Sequence, residues 1–331
     1  GIIILFSRRI LGVNVVCCMM CLLSCRCLFP PTFRLLLFQC VLSPNGFFLC
    51  LKNRSSLSKD SVTGTTRWSA THIAKATNDT LVDIANAMFA DASDCDLSFA
   101  LKANERIGFC FPTHGWQPPG IVRQFLKRLR LSTNGNHFCY ALTTCGDSVG
   151  KTMDIFSKEL HRKNLRLDAC FSLIMPESYV ALPFMYTDTI ENERKKREKA
   201  AADILIYEKL IKNRTAGVSH IVKGSTPWFF SYVVGNYFNK KMITDKKFTV
   251  DADACIGCGL CAKVCPVGDI NISGGNPQWL HDNRCTSCLT CYHHCPNHAI
   301  NYGKTTRSAD NTFLEETTTP KYMKYKNILL F

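Results

Sequence analysis

The sequence is short of acidic residues, of long apolar runs and of nucleophile–base pairs. It has 26 Asp and Glu against 40 Lys and Arg in 331 residues, a formal net charge of +14, which favours acidic partners as a class. The basic residues cluster in polar stretches such as 194–199 and 240–247 without interleaved aromatic residues. Nucleic-acid binding is therefore not expected, and a chain of this length predicts two or three domains.

No apolar run reaches the roughly 20 residues that a membrane-spanning helix needs. One apolar run, ILGVNVVCCMMCLLSC at residues 10–25, follows Arg8 and Arg9 and precedes Arg26. Its pattern suggests a signal peptide or anchor, but sixteen residues are short for a span and no small-residue cleavage site is clear. Membrane contact is expected only if this segment belongs to the mature protein.

Cysteine, by contrast, is abundant, with twenty residues in three groups. Seven lie in the first sixty residues, five are scattered through the middle, and eight lie between Cys255 and Cys295. Only the last group is regularly spaced. A chain this long needs no disulfides to form a core, so the spacing favours metal binding over a disulfide scaffold.

The eight spaced cysteines form a repeat, CIGCGLCAKVCP at 255–266 and CTSCLTCYHHCP at 285–296. Three thiolates at this spacing can each reach one iron of a [4Fe–4S] cubane, while the fourth, followed by proline, reaches the other cluster. Zinc sites and disulfides are the alternatives, but zinc needs no crossed, proline-terminated pattern. The predicted ligands are Cys255, Cys258, Cys261 and Cys295 for one cluster, and Cys285, Cys288, Cys291 and Cys265 for the other.

About 50 residues around this repeat resemble a bacterial-type two-cluster ferredoxin, a small α+β domain to which we assign residues 245–304. Because every iron already has a cysteine, His293, His294 and His298 are predicted to lie at the surface. Export of an unfolded chain would separate the cysteines from reducing compartments. We therefore expect a cytoplasmic protein, with a membrane-anchored or organellar protein as the alternative.

The middle of the chain alternates between apolar runs and amphipathic helices, which predicts an α/β domain with a parallel sheet covered on both faces. Strands are predicted at 81–84, 107–111, 137–142 and 169–174, and helices at 68–76, 119–131 and 148–163. CGDSVGKT at 145–152 comes within one residue of a nucleotide-hydrolase phosphate loop, but a cysteine replaces its first glycine. NTP hydrolysis is therefore not expected.

Three loops are predicted at the carboxyl edge of this sheet, where ligands of such domains bind. Loop 61–66 is rich in hydroxyls, lacks Lys and Arg, and precedes a helix, so it would bind a phosphate. In loops 112–119 and 143–150, Trp116 could stack on a flat ring and backbone groups could face its edge. Taken singly, each loop is better explained by helix capping or packing, but the occurrence of three such loops at successive strand ends upstream of a ferredoxin reverses that preference. The candidate ligand-binding residues are Ser61, Thr63, Gly64, Thr65, Thr66, Thr113, Gly115, Trp116, Thr144, Gly146 and Asp147.

Four segments of this region carry a family resemblance: TGTTRW (63–68), FPTHGWQPPGIV (111–122), TCGDSVGKTMDI (144–155) and FSLIMPESY (171–179). Together with the cysteine repeat they resemble the EFR1-type ferredoxins, in which a flavodoxin-like domain is fused to a two-cluster ferredoxin. The resemblance implies a flavodoxin-like, doubly wound parallel sheet over residues 61–190. It also implies FMN, with its phosphate at the first loop and its ring between the other two.

Residues 191–244 are predicted to link the two domains. A connecting helix is expected over 191–212. The aromatic run WFFSYVVGNYF at 228–238 is too short to span a membrane and is expected to pack between the domains, near both redox centres. Residues 305–331 form a polar tail.

The first loop lacks the buried strand from which such loops hang, because residues 53–60 are polar. Residues 1–6, GIIILF, have the pattern of that strand and, joined to Ser61, read GIIILFSVTGTTRW. We therefore interpret residues 7–60 as an interruption at the end of the first strand, foremost an artefact of the gene model. A targeting segment or a soluble insert is the alternative, and the missing initiator Met indicates an incomplete start.

These features predict electron transfer between FMN and two [4Fe–4S] clusters. The protein would act as an electron carrier or a flavin-containing oxidoreductase component with redox proteins as partners. No catalytic side chain is predicted beyond the cofactors. The alternative is a membrane-tethered ferredoxin-type binding or assembly module whose flavodoxin-like domain has lost FMN.

Overall fold

The computed structural model describes residues 5–10, 13–18, 48–52, 64–89, 97–133, 135–182 and 185–308. The chain divides into two compact units, Gly1–Cys40 and Val41–Phe331. In the first unit, β1 (Leu5–Ile10) pairs antiparallel with β2 (Val13–Cys18). Within these described ranges, no helix combines the length and apolar character needed to cross a lipid bilayer.

The second unit contains a six-stranded mixed sheet. Its strands are β3 (Phe48–Lys52), β4 (Asp79–Asp83), β6 (Arg106–Pro112), β8 (Phe138–Cys145), β9 (Ala169–Ile174) and β10 (Val218–His220). Their order is β10-β9-β8-β6-β3-β4. The first four pair in parallel, whereas β3 is antiparallel to both of its neighbours. Two further strands, β5 (Ser98–Leu101) and β7 (Arg130–Thr133), pair in parallel with each other.

Helices cover both faces of the sheet. One face carries α1 (Thr65–Thr77) and α5 (Ile190–Lys212), and the other carries α2 (Ile84–Phe89), α3 (Gly120–Arg128) and α4 (Thr152–His161). Because strand side chains alternate, Tyr140 and Leu142 of β8 pack with α1 and α5, whereas Cys139 and Ala141 pack with the other helices. The predicted α/β domain is confirmed, and its flavodoxin-like character stays a prediction.

The strand between β4 and β6 differs from the predicted one. The structure places Phe48–Lys52 there, paired through Cys50 with Gly108 and Leu81. Of residues 1–6, only Leu5 and Phe6 are described, and they belong to β1. Because β3 is antiparallel to both β4 and β6, the expectation of a wholly parallel sheet is wrong. The physical reason is that an antiparallel strand can satisfy the backbone groups of β6 as well as a parallel one.

Deleting residues 7–60 removes β3 and thereby tests this part of the fold. We expect the shortened chain to stay soluble and to retain FMN at least as well as the full chain, because GIIILF can then pair with β4 and β6. Circular dichroism and flavin retention on gel filtration measure this, with deletion of residues 309–331 as the control. If only the 7–60 deletion abolishes folding or binding, the segment is structural and our interpretation of it fails.

A glycine in β6 makes room for a buried aromatic ring. Gly108 lies opposite Tyr140 of β8, whose fully buried ring would clash with any Cβ at position 108. We expect Gly108→Ala to lower the free energy of unfolding by about 1–3 kcal/mol, the usual cost of overpacking a core. Urea unfolding of the anaerobically purified protein, followed by tryptophan fluorescence, measures the change.

Gly120 provides the matched control for this substitution. It begins α3, and a Cβ there meets no atom within 4 Å. Gly120→Ala is expected to leave stability unchanged or raise it by about 0.5 kcal/mol, because alanine loses less conformational freedom on folding. Equal effects of both substitutions would contradict the packing argument.

The remaining elements belong to the linker and the C-terminal domain. Residues 227–242, here called the aromatic segment, consist of helical turns at Pro227–Phe229 and Gly235–Tyr237 alternating with π-helical turns at Phe230–Val234 and Phe238–Met242. The C-terminal domain comprises β11 (Phe248–Val250), α6 (Leu260–Val264), β12 (Ile270–Ser273), β13 (Asn276–Trp279), α7 (Thr290–His294), β14 (Ile300–Tyr302) and α8 (Thr305–Ser308). Strand β11 pairs with β14, and β12 pairs with β13. The predicted polar tail beyond Ser308 lies outside the described residues.

Candidate metal centres and the loops at the sheet edge

The two cysteine runs adopt the same backbone conformation thirty residues apart. Each ends in a five-residue helix, α6 or α7, that begins after a residue with left-handed backbone, Gly259 (φ 70°) or Leu289 (φ 59°). Lys263 N–H donates to Gly259 O at 3.1 Å, and His293 N–H donates to Leu289 O at 3.0 Å. The sequence repeat is therefore a structural repeat.

One cavity is lined by four cysteines from both runs. Three come from the second run and the fourth is the last cysteine of the first: Cys285, Cys288, Cys291 and Cys265. Phe248 and Trp279 complete its wall, with their rings stacked at 5.0 Å. We call this the enclosed cavity, because its lining residues Asp269, Leu289 and Thr290 are buried.

A second cavity has the reciprocal composition. Its cysteines are Cys255, Cys258 and Cys261 from the first run and Cys295 from the second. Glycine backbone and the side chains of Ile256 and Ile272 form much of its rim. We call this the open cavity, because Cys258 and Ile256 are exposed to solvent.

The donor sets fit a cubane better than a single metal ion. Each cavity offers four thiols spread around a space, as four irons require. Within the described part of the chain, no three His, Cys, Asp or Glu side chains converge closely enough to hold one ion. A tetrahedral zinc site would require such convergence.

Backbone amides point at the two cysteines that cross between the runs. Asp269 N–H donates to Cys265 Sγ at 3.2 Å, and Ala299 N–H donates to Cys295 Sγ at the same distance. Both donors lie four residues beyond their cysteine, after the proline. Such N–H···S bonds stabilise negative charge on sulfur and so help set the potential of a bound cluster.

The cysteine thiols influence one another within the same two sets. Burial, and then the charge of Cys288, raises the pKa of Cys265 to about 12. Burial raises the pKa of Cys261, with further contributions from Cys258 and Cys295. Without a metal these thiols are therefore protonated at neutral pH. Because metals bind thiolates, cluster insertion at these positions releases protons.

The second run holds its turn with residues other than glycine. Ser287 (φ 49°) and Leu289 replace Gly257 and Gly259 of the first run, although left-handed backbone disfavours side chains. Ser287 Oγ accepts from Thr244 N–H at 2.9 Å and donates to Thr244 O at 3.1 Å. The end of the linker thus anchors the run that contributes three cysteines to the enclosed cavity.

The histidines beside the second run differ from the surface prediction. His298 is exposed, but His294 is only 4% exposed and its Nδ1 lies 2.8 Å from Thr290 O. His293 Nε2 lies 2.7 Å from the backbone oxygen of Ser178 in the α/β domain. The surface prediction is wrong for His294, because histidine carries no spacing signal for burial, whereas His293 is half-buried. His294 braces α7, and His293 braces the contact with the α/β domain.

In the α/β domain, the structure brings the first and third predicted loops together at one sheet edge. Thr66 Oγ1 lies 2.6 Å from Thr144 Oγ1. Thr113 of the second loop meets Thr143 at 3.0 Å between their hydroxyls. Gly64 is the extended N-cap of α1, and no acidic residue follows it in the first turn. Ser61 and Thr63 lie outside the described residues.

The aromatic segment binds the second and third loops. Ser231 Oγ accepts from Lys151 N–H at 2.8 Å and donates to Trp116 O at 2.9 Å. Gln117 Nε2 donates to Ser231 O at 2.6 Å. The Trp116 ring packs on Phe230 with centroids 4.7 Å apart. The sequence predicted that this segment is packed, but gave no indication of Ser231 as its anchor.

The predicted glycines of these loops face protein side chains. A Cβ at Gly115 would lie 2.6 Å from Phe238, and Gly146 lies against the carboxylate of Glu177. Glu177 Oε1 in turn accepts from the backbone N–H groups of Ser178 and Tyr179 at 3.1 and 3.0 Å. Asp147 is exposed. The phosphate end of the predicted FMN site carries hydroxyls, but Gly64, Thr66 and Thr144 are buried there. The ring end is in contact with the protein's own side chains.

Lys151, from the sequence that resembles a phosphate loop, pairs with Asp154 of α4 at 2.9 Å. It stands just before α4 as the helix N-cap residue. This position agrees with the expectation that Lys151 begins an ordinary helix.

Comparison with known proteins finds one matching region. Residues 238–300 match the family model described as a 4Fe-4S dicluster domain. The match contains all eight cysteines of the repeat, so the prediction of an iron–sulfur, ferredoxin-type domain with an electron-transfer role is confirmed. No curated protein and no solved structure matches the chain.

Proposed function

We propose that this protein is an electron carrier, or the electron-transferring component of an oxidoreductase, with two [4Fe–4S] clusters in its C-terminal domain. The ligands would be the four cysteines of each cavity, with Cys265 and Cys295 crossing between the runs. The observation that carries this proposal is that each of two cavities is lined by three cysteines of one run and one of the other.

The protein's own contribution is to hold the clusters, to shield them from water and to tune their potentials. Clusters bound at such thiolates supply one-electron transfer. Phe248 and Trp279 exclude water beside the enclosed cavity, and the amides of Asp269 and Ala299 donate to ligand sulfurs. The left-handed residues before α6 and α7 turn the backbone so that three thiols of each run face one space.

We further propose FMN as the ligand of the α/β domain. Its support is the family resemblance, the meeting of Thr66 with Thr144, and the hydroxyl-bearing start of α1 without a competing carboxylate. Helix N-termini of this kind bind phosphate through backbone N–H groups and the helix dipole. The flavin would connect two-electron chemistry with the one-electron clusters.

A second candidate is a binding or assembly module whose α/β domain has lost FMN. It is favoured by the contacts of Phe238 and Phe230 with Gly115 and Trp116, which occupy the predicted ring-binding loops. Flavin content of the purified protein distinguishes the two candidates. Residues 10–25, which would tether such a module to a membrane, are described only in part, where Val13–Cys18 forms β2.

The proposed partners are redox proteins, and the proposed location is the cytoplasm, where cluster assembly and free thiols are compatible. Nucleic acid is not among the proposed partners. The test of the function as a whole is iron, sulfide and flavin content after anaerobic purification.

A further inference from the structure

The two cysteine cavities differ in how far their walls are exposed. Around the enclosed cavity, Asp269 and Leu289 are fully buried, and Val267 and Thr290 are only 3% and 2% exposed. Around the open cavity, Ile256 is 64% and Ile272 41% exposed. Two sites that are equivalent by sequence repeat therefore have walls of unequal exposure.

The α/β domain is what covers the enclosed cavity. Val267, which lines this cavity, also belongs to the hydrophobic core formed by α2, α3 and α4, and Cys265 packs against that core. Arg284, next to the ligand Cys285, lies over the ring of Phe89 at the end of α2, 5.0 Å from its centroid.

A second contact comes from the chain that follows β9. Tyr179 packs against the C-terminal core, which contains cysteines of both cavities. Cys285 of the enclosed cavity is the cysteine beside Tyr179, because burial and then the charges of Tyr302 and Cys285 raise the pKa of the Tyr179 hydroxyl. Its ring meets Phe238 of the aromatic segment edge to face at 5.5 Å. Ala181 of the same stretch is buried in that core. Two separate parts of the α/β domain therefore converge on the enclosed side.

We propose that the fused α/β domain makes the two cluster sites functionally unequal: the open cavity exchanges electrons with external redox proteins, and the enclosed cavity is the internal site facing the α/β domain. Tyr179 is a positioning residue that keeps water from the enclosed site. This inference rests on the proposed two-cluster function.

The physical consequence is a difference in potential. Reduction adds negative charge to a cluster that already carries thiolate charge, and a dry, low-dielectric surrounding disfavours that charge. Shielding by Tyr179 and Val267 therefore holds the potential of the enclosed site below the value it would have in contact with water.

The test uses the reduced, full-length protein and needs no variant for its first step. An aqueous dysprosium chelate relaxes an EPR signal more strongly the closer it can approach the cluster, so we expect one cluster signal to be strongly relaxed and the other little affected. Equal relaxation of both signals overturns the inference while leaving the two-cluster function intact. Absence of iron would instead defeat the function itself.

Tyr179→Ala identifies the shielded cluster. We expect this substitution to increase dysprosium relaxation of the protected signal several-fold and to raise the midpoint potential of that cluster alone. Tyr186→Ala is the matched control, because Tyr186 is 63% exposed, and it should change neither quantity. A change in the already exposed cluster after Tyr179→Ala, with none in the protected one, would show that our assignment is reversed.

Discussion

Anaerobically purified protein should contain about eight iron and eight sulfide ions per chain, the content of two cubanes. The reason is that the structure provides two separate four-thiol cavities. Iron and sulfide assays, with EPR of the reduced protein, measure this result. In the same sample, we expect one FMN per chain, released by heat and quantified by its fluorescence.

The outcomes separate the proposals from one another. Eight irons without flavin would support the iron–sulfur function and reject the FMN assignment in favour of a cofactor-free α/β domain. A chain that binds zinc alone, even after anaerobic reconstitution with iron and sulfide, would reject both clusters. Substitution of Cys170, a cysteine of β9 outside both cavities, provides the control and should leave the iron content unchanged.

Substitution of either crossing cysteine is expected to have a large effect on the iron content. Each of these cysteines belongs to one run by sequence and lines the cavity of the other run. Cys265→Ala is expected to remove the cluster of Cys285, Cys288 and Cys291 and to lower the iron content to about four per chain. Cys295→Ala should do the same to the cluster of Cys255, Cys258 and Cys261. EPR distinguishes the surviving signals.

The two variants control for each other, since both lose one thiol from an equivalent position. If the crossing is correct, they leave different EPR signals, and the signal that survives in Cys295→Ala is the one protected from dysprosium. If Cys265→Ala instead removes the cluster of its own run, the crossed assignment is wrong. Loss of both signals in both variants would show that the clusters cannot assemble independently and would contradict the expected iron content.

Much of the α/β domain was predictable because its strands are local apolar runs. The strand predicted at 169–174 is observed as Ala169–Ile174, and the helix predicted at 191–212 as Ile190–Lys212. The helix predicted over 119–131 ends at Arg128, because Arg130–Thr133 pairs with β5. Such endings depend on a distant strand and have no local signal.

The strand beside β6 shows the opposite case. The sequence pattern favours GIIILF because it would run directly into the phosphate-like loop, whereas the polar residues 53–60 separate that loop from any preceding apolar run. Pairing in the structure selects Phe48–Lys52 in the antiparallel direction. Strand direction and partner are decided between segments, so the pattern of one segment cannot specify them.

The amino-acid sequence by itself determined the chemistry of the C-terminal domain. Ligand spacing is a local property of the sequence. Cysteines separated by two residues, a proline after the last cysteine and a repeat after thirty residues suffice to predict eight thiols in two crossed sets. Only the tertiary structure decided that the surroundings of these two sets differ in exposure, since the two runs have the same cysteine spacing. Val267, Arg284 and Tyr179 acquire their role only because the α/β domain packs on one side of the pseudo-symmetric domain. Exclusion of water is a property of surfaces brought together by folding, and no spacing along the chain encodes it.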